Sequence, residues 1–75
     1  MVVMPRPLDA LNNARNKRVI VDLKNKTQFV GVLKAFDIHI NVVLDDGELR
    51  ENSELKKKVG TVFIRGDTIV AIATE

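Results

Sequence analysis

The sequence predicts a mainly β fold: a small, strongly bent antiparallel barrel led by one short helix. Three observations predict it. Apolar and β-branched residues recur in short runs from Arg18 to Ala73. Turn-forming residues separate these runs, and the one stretch with helical spacing lies ahead of them. Seventy-five residues make a single domain, 1–75, close to the lower limit for a self-sufficient core. Extra stability must then come from packing a helix on the strands or from oligomerisation.

The elements follow in chain order. Pro5 and Pro7 punctuate the start, and PLDALNNARNK spaces Leu8, Leu11 and Ala14 three apart. That spacing predicts an amphipathic helix over about 7–16, with proline suited to its first turn. RVIVDLK is the first strand, with Val19, Val21 and Leu23 on one face. Residues 25–27, NKT, form a turn, and 28–36, QFVGVLKAF, a second strand. Gly31 in mid-strand points to a sharp bend or a close backbone approach. After a third run, Asp46-Gly47 is a hairpin signal, and the polar ten residues beyond it read as a solvated loop. VGTVFIRG and DTIVAIA are the fourth and fifth strands.

These last two strands carry apolar residues on both faces. Either both are central and buried twice, or their surplus faces are covered by another copy of the chain. Exposed apolar edges aggregate unless paired. Pairing two different edges is heterologous and closes into a ring when the rotation permits.

Composition removes several classes. Without cysteine there is no disulfide framework, and a lone histidine cannot supply a zinc site. No apolar run is long enough to span a bilayer and no signal peptide is evident, so the chain reads as cytoplasmic. A formal charge of +2 permits a nucleic-acid partner without requiring one. No serine–histidine or paired-carboxylate arrangement stands out, which argues against an enzyme.

Two polar groups interrupt the apolar pattern: Asp37, His39 and Asn41 in FDIHIN, and Arg65-Gly66-Asp67 between the last two strands. If a strand ran straight through FDIHIN, its three polar residues would share one face. The alternative is a tight turn whose polar side chains converge. Asp37 and Asn41 can cap such a turn through local bonds alone, and Arg65 can simply sit in water beside Asp67. The Lys56-Lys57-Lys58 run reads as a solvated strand end.

The chain resembles the Sm and Sm-like (LSm) family, and in particular its archaeal members. VIVDLKNKTQFVGVLKAFDIHINVVLDD, residues 19–46, is similar to the first family motif; VGTVFIRGDTIV, residues 59–70, is similar to the second. The resemblance implies the Sm fold, a five-stranded, strongly bent SH3-like barrel capped by the helix. It implies a homo-oligomeric ring, a homoheptamer with hexamers known among relatives, in which the fourth strand pairs with a neighbour's fifth. It implies uridine-rich single-stranded RNA bound at the pore, a role in RNA processing or ribonucleoprotein assembly, RNA-processing proteins as further partners, and no cofactor. Carried over by position, His39 and Arg65 would sandwich a uracil and Asn41 would bond its edge. Asp37 would orient Asn41, and Gly66 and Asp67 would complete the pocket. The competing reading is a ring that serves as a protein-assembly scaffold with little RNA binding; a third is a monomeric SH3-like adaptor.

Overall fold

The computed structural model describes residues 7–52 and 54–74. Its order is α1 (Pro7–Asn13), β1 (Arg18–Leu23), β2 (Thr27–Phe36), β3 (Val42–Glu51), β4 (Glu54–Ile64), a single 3-10 turn (Gly66–Thr68) and β5 (Ile69–Thr74). The mainly β architecture expected from the sequence is the one observed. Residues 1–6, including Pro5, lie outside the described residues. Among the described residues no helix is long and apolar enough to cross a membrane.

The strands form one antiparallel sheet in the order β4-β3-β2-β1-β5. Ala14, Val19, Val21, Leu33, Val42, Leu44 and Ile64 fill the core, and Leu11, Leu23, Phe29, Phe36, Ile40, Ile69 and Ile72 pack around them. The period-two pattern read in β1 places Val19 and Val21 at zero exposure.

Helix α1 ends earlier than its periodicity predicts. The chain tightens into three-residue turns, with Ala14 N–H donating to the Leu11 carbonyl (3.0 Å) and Lys17 N–H to the Ala14 carbonyl (3.1 Å). Asn16 then turns left-handed, with φ 66°, as asparagine tolerates at a helix end. Its N–H donates to the Leu33 carbonyl at 2.7 Å, which fastens the helix exit to β2.

Asp46-Gly47 is not a hairpin. β3 runs through it, and the pairing with β4 shifts register between Leu44 and Gly47. Asp46 has φ 51°, and the pair forms a bulge that bends the strand. Gly47 is glycine because β4 crosses there: a Cβ would lie 2.8 Å from the Gly60 carbonyl oxygen. The reversal instead falls between Glu51 and Glu54, which pair across the sheet, with Asn52 at φ 52°. The stretch expected as a solvated loop is therefore a two-stranded ribbon. Charge favours it, since Glu48 stands opposite Lys58. Lys56, Lys57 and Lys58 are exposed, as a solvated strand end requires.

β4 and β5 are the two edges of the sheet, not its centre. That removes the twice-buried alternative. Phe63 on β4 remains 78% exposed and Val70 on β5 66%.

Gly31 is the close approach that its mid-strand position predicted. A Cβ there would lie 2.8 Å from the Asp45 carbonyl oxygen and 3.2 Å from Gly47 Cα, both backbone atoms that cannot swing away. Gly31→Ala should cost about 1–3 kcal/mol through this overpacking. The expected readout is a clearly lowered melting temperature; an unchanged one would show that β3 yields at no cost.

Candidate nucleic-acid interface

FDIHIN forms a turn rather than a continuous strand. β2 ends at Phe36 and β3 begins at Val42. Ile40 N–H donates to the Asp37 carbonyl (3.0 Å) and Asp37 N–H to the Asn41 carbonyl (3.2 Å), which closes the loop on itself. One oxygen of the Asp37 carboxylate accepts the His39 N–H (2.9 Å) and the Asn41 N–H (3.2 Å). Its other oxygen accepts the Asn41 side-chain NH₂ at 3.1 Å. Asp37 is thus both the turn cap and the group that orients Asn41.

Ile40 takes φ 62°, a costly conformation for a β-branched residue. Its side chain packs against the core, and that anchorage offsets the strain. With Ile40 turned inward, His39 and Asn41 on either side are exposed. Plain alternation would also turn Ile38 inward beside Ile40, yet Ile38 is 74% exposed, because the chain turns here instead of running straight.

The second turn meets the first at Gly66. Its N–H donates to Asn41 Oδ1 at 2.7 Å. A Cβ on Gly66 would overlap the His39 carbonyl oxygen and lie 2.9 Å from the Ile40 carbonyl carbon. Only glycine lets the two turns touch. The Arg65 carbonyl accepts from the Thr68 N–H (3.1 Å) and hydroxyl (2.7 Å). The Arg65 guanidinium donates to Asp67 Oδ2 at 2.9 Å.

His39, Asn41, Arg65, Gly66 and Asp67 line one open cavity of about 470 Å³. Asp37 stands behind it and holds Asn41. Every site residue expected from the sequence is therefore in this one place. The sequence did not reveal the role of the Gly66 N–H, since a backbone donor has no residue signature. Nor did it reveal an adjoining apolar cavity lined by Phe36, Val43 and Phe63, which shares Asn41 and Arg65 with the first.

The Asn41 amide is held from both ends. Flipping it would set its NH₂ against the Gly66 N–H and its oxygen against the Asp37 carboxylate. What remains free is one lone pair on Oδ1 and one N–H on Nδ2, a fixed acceptor beside a fixed donor. Flanking this pair are an imidazole ring and a guanidinium plane. Such a site can take a flat heterocycle that presents a donor beside an acceptor.

Comparison with known proteins agrees in both sequence and shape. The family model for the LSM domain matches residues 9–74. An snRNP Sm-like protein of Archaeoglobus fulgidus is 51% identical over 69 residues, spanning 92% of this chain and 90% of its own. The Sm protein of Pyrococcus abyssii, solved in complex with a uridine heptamer, superposes with TM-score 0.91 at 43% identity, over 93% of this chain and 99% of that one. A heptameric archaeal Sm protein superposes with TM-score 0.82 at 30% identity, over 88% and 96% of the two chains.

The hydrogen bonds on Asp37 favour its ionised form. The Asn41 side-chain bond is the largest cause, the His39 and Asn41 backbone bonds add to it, and partial desolvation opposes it; the carboxyl falls below its ordinary 3.8. A lowered carboxyl pKa means the turn is fully held above the ordinary value and loosens as pH falls through the lowered one. The Asp37 carboxyl resonance and the Asn41 side-chain NH₂ protons should then titrate together in NMR, with a midpoint below 3.8. A midpoint at or above that value would show that the carboxylate does not carry the turn.

Proposed function

The chain belongs to the LSM family, and from that premise we propose that it assembles into a homoheptameric ring and binds uridine-rich single-stranded RNA in the pocket between its two polar turns. The observation that carries this reading is the Asn41 amide, fixed by Asp37 on one side and Gly66 on the other. Uracil presents a donor at N3 beside an acceptor at O4, which the free lone pair and the free N–H of Asn41 complement. Cytosine presents the reverse and meets like against like. Single-stranded RNA is read through bases splayed onto rings and guanidinium planes, and His39 and Arg65 supply both. The uridine heptamer bound by the Pyrococcus abyssii protein supports the same ligand class. The function is one of binding, not catalysis, in RNA processing or ribonucleoprotein assembly alongside RNA-processing proteins. It is carried by one domain whose motifs span 19–46 and 59–70.

The ring reading rests on the two unpaired edges. β4 and β5 are different surfaces, so one subunit's β4 on the next subunit's β5 makes a heterologous contact that closes. Phe63 and Val70 are then the exposed apolar residues that such a contact covers. A heptameric archaeal relative supports seven subunits. One pocket per subunit makes the binding multivalent: each further base is captured at high effective concentration. A modest net charge then suffices.

Titration with a uridine heptamer, with native mass spectrometry to count subunits, tests both halves. His39→Ala or Arg65→Ala should each weaken binding by about 1–3 kcal/mol per occupied pocket. Unchanged affinity in His39→Ala would sink the pocket, and a wild-type ring with no affinity for oligouridine would leave the scaffold reading. Phe63→Lys should leave a folded subunit but no ring; a ring that survives it would mean the β4 edge is not an interface.

Asp37→Asn is the sharper test of base choice. On the sequence alone Asp37 is the group that stops the amide flipping. In the structure the Gly66 N–H still holds Asn41 Oδ1 when the carboxylate is gone, and a flip would leave that donor facing a donor, at roughly 1–3 kcal/mol. The uridine-over-cytidine preference should therefore persist in Asp37→Asn. A preference that collapses would mean that the carboxylate alone sets the amide.

A further inference from the structure

We propose that Asp67 is a positioning residue: its carboxylate holds the Arg65 guanidinium as a stacking plane and keeps that cation off the RNA phosphates. The inference rests on the RNA-binding reading of the same pocket and adds to it what makes an arginine stack rather than pair.

The observations begin with the backbone. Arg65 has φ −76° and ψ 135°. Its carbonyl is clamped by both the N–H and the hydroxyl of Thr68, and the next residue's N–H is committed to Asn41. The direction in which the side chain leaves is thus fixed, and only its head is free to choose a partner. Among the described residues its head donates to Asp67 Oδ2, at 2.9 Å. The two side chains are 81% and 63% exposed. An exposed pair of this kind adds little to fold stability, so its consequence lies in where it leaves the guanidinium.

An arginine beside an RNA strand has two competing uses. Its fork fits phosphate oxygens in two-pronged fashion, and its flat face stacks on bases. Asp67 takes a donor at the edge of the fork, a bond in the guanidinium plane that occupies neither face, and both residues line the same cavity. It also sets a negative charge where a phosphate oxygen would have to approach. Stacking survives this arrangement, whereas two-pronged phosphate pairing through the same edge must first break the bond to Asp67. Binding at this pocket should accordingly carry a shallow salt dependence for a site that contains an arginine.

The test is the slope of log affinity against log salt for a uridine heptamer, measured on intact rings. In Asp67→Ala the freed guanidinium gains a phosphate, and the slope should steepen by about 0.7 for each phosphate newly neutralised on a single strand. Removing an acidic residue near RNA also changes the local charge, so the same substitution is made in an Arg65→Ala background as a double-mutant cycle. There the slope should not move. Equal steepening in both backgrounds would make Asp67 a bystander charge, and no steepening in either would show that it does not restrain Arg65; both outcomes overturn the proposal. Asp67→Asn, which keeps the side-chain shape, serves if the alanine variant fails to form rings, and the same three outcomes apply. A wild-type ring that binds no uridine heptamer at any salt overturns the pocket reading and this one together. A wild type that binds, with unaltered slopes in the variants, overturns only the role of Asp67.

Discussion

The short link between β4 and β5 is the constraint from which the rest follows. These strands are opposite edges of the sheet, yet Ile64 and Ile69 are joined only through residues 65–68. Four inter-strand gaps of about 4.8 Å would set the edges of a flat sheet roughly 19 Å apart. Five residue steps reach at most about 18 Å fully extended, and a 3-10 turn is far from extended. The sheet must curl. The close crossings at Gly31 and Gly47 permit the curl, because each removes a Cβ where backbone meets backbone. Curling brings the turn after β4 against the turn after β2, and there Gly66 meets Asn41 over a separation of 25 residues. The pocket is a by-product of closing the barrel.

This order of causes explains what was legible in the sequence. Helix, strands and core followed from periodicity, because burial on one face leaves a mark at every second residue. Val19, Val21, Val42 and Leu44 are examples. Asp46-Gly47 misled because two physical demands use the same residues. A hairpin wants both for left-handed φ, whereas the bulge at this strand crossing uses Asp46 for left-handed φ and Gly47 for its missing side chain. Local sequence cannot separate the two; the partner strand does. The true reversal at Asn52 carried a weaker signal amid charged residues, whose alternation looked like a solvated loop and is a solvated ribbon. The helix was overextended for a similar reason. Ala14 keeps the helical spacing and is buried, while the backbone has already left the helix.

For the site the outcome is reversed. All six expected residues converge, although they lie in separate turns; side-chain chemistry marks the polar ones as interruptions of an apolar pattern, and the family resemblance is what implied that they share one pocket. What stayed invisible is carried by backbone: the Gly66 N–H, the left-handed Ile40, and the clamp on the Arg65 carbonyl. Such groups have no residue identity, so spacing cannot announce them. Their contribution is orientation. A side-chain amide is an ambiguous reader, and the fold resolves the ambiguity by giving its oxygen a donor and its nitrogen an acceptor.

The same link that forces the curl also joins assembly to recognition. Residues 65–68 connect the two edges that the proposed ring uses, and Ile64, the last residue of β4, pairs with Val42, the first of β3. Arg65 and Asn41 are therefore one residue from a pair of buried core positions, and β4's outer edge is the strand that a neighbour would extend. Holding β4 straight through a neighbouring strand would hold the start of the link, and holding β5 would hold its end. A subunit alone would leave both ends of the link on unpaired sheet edges. In the proposed ring, closure and pocket order would then strengthen each other with no contact between RNA and the interface. Base affinity measured per pocket should accordingly rise on assembly by more than the count of pockets alone provides.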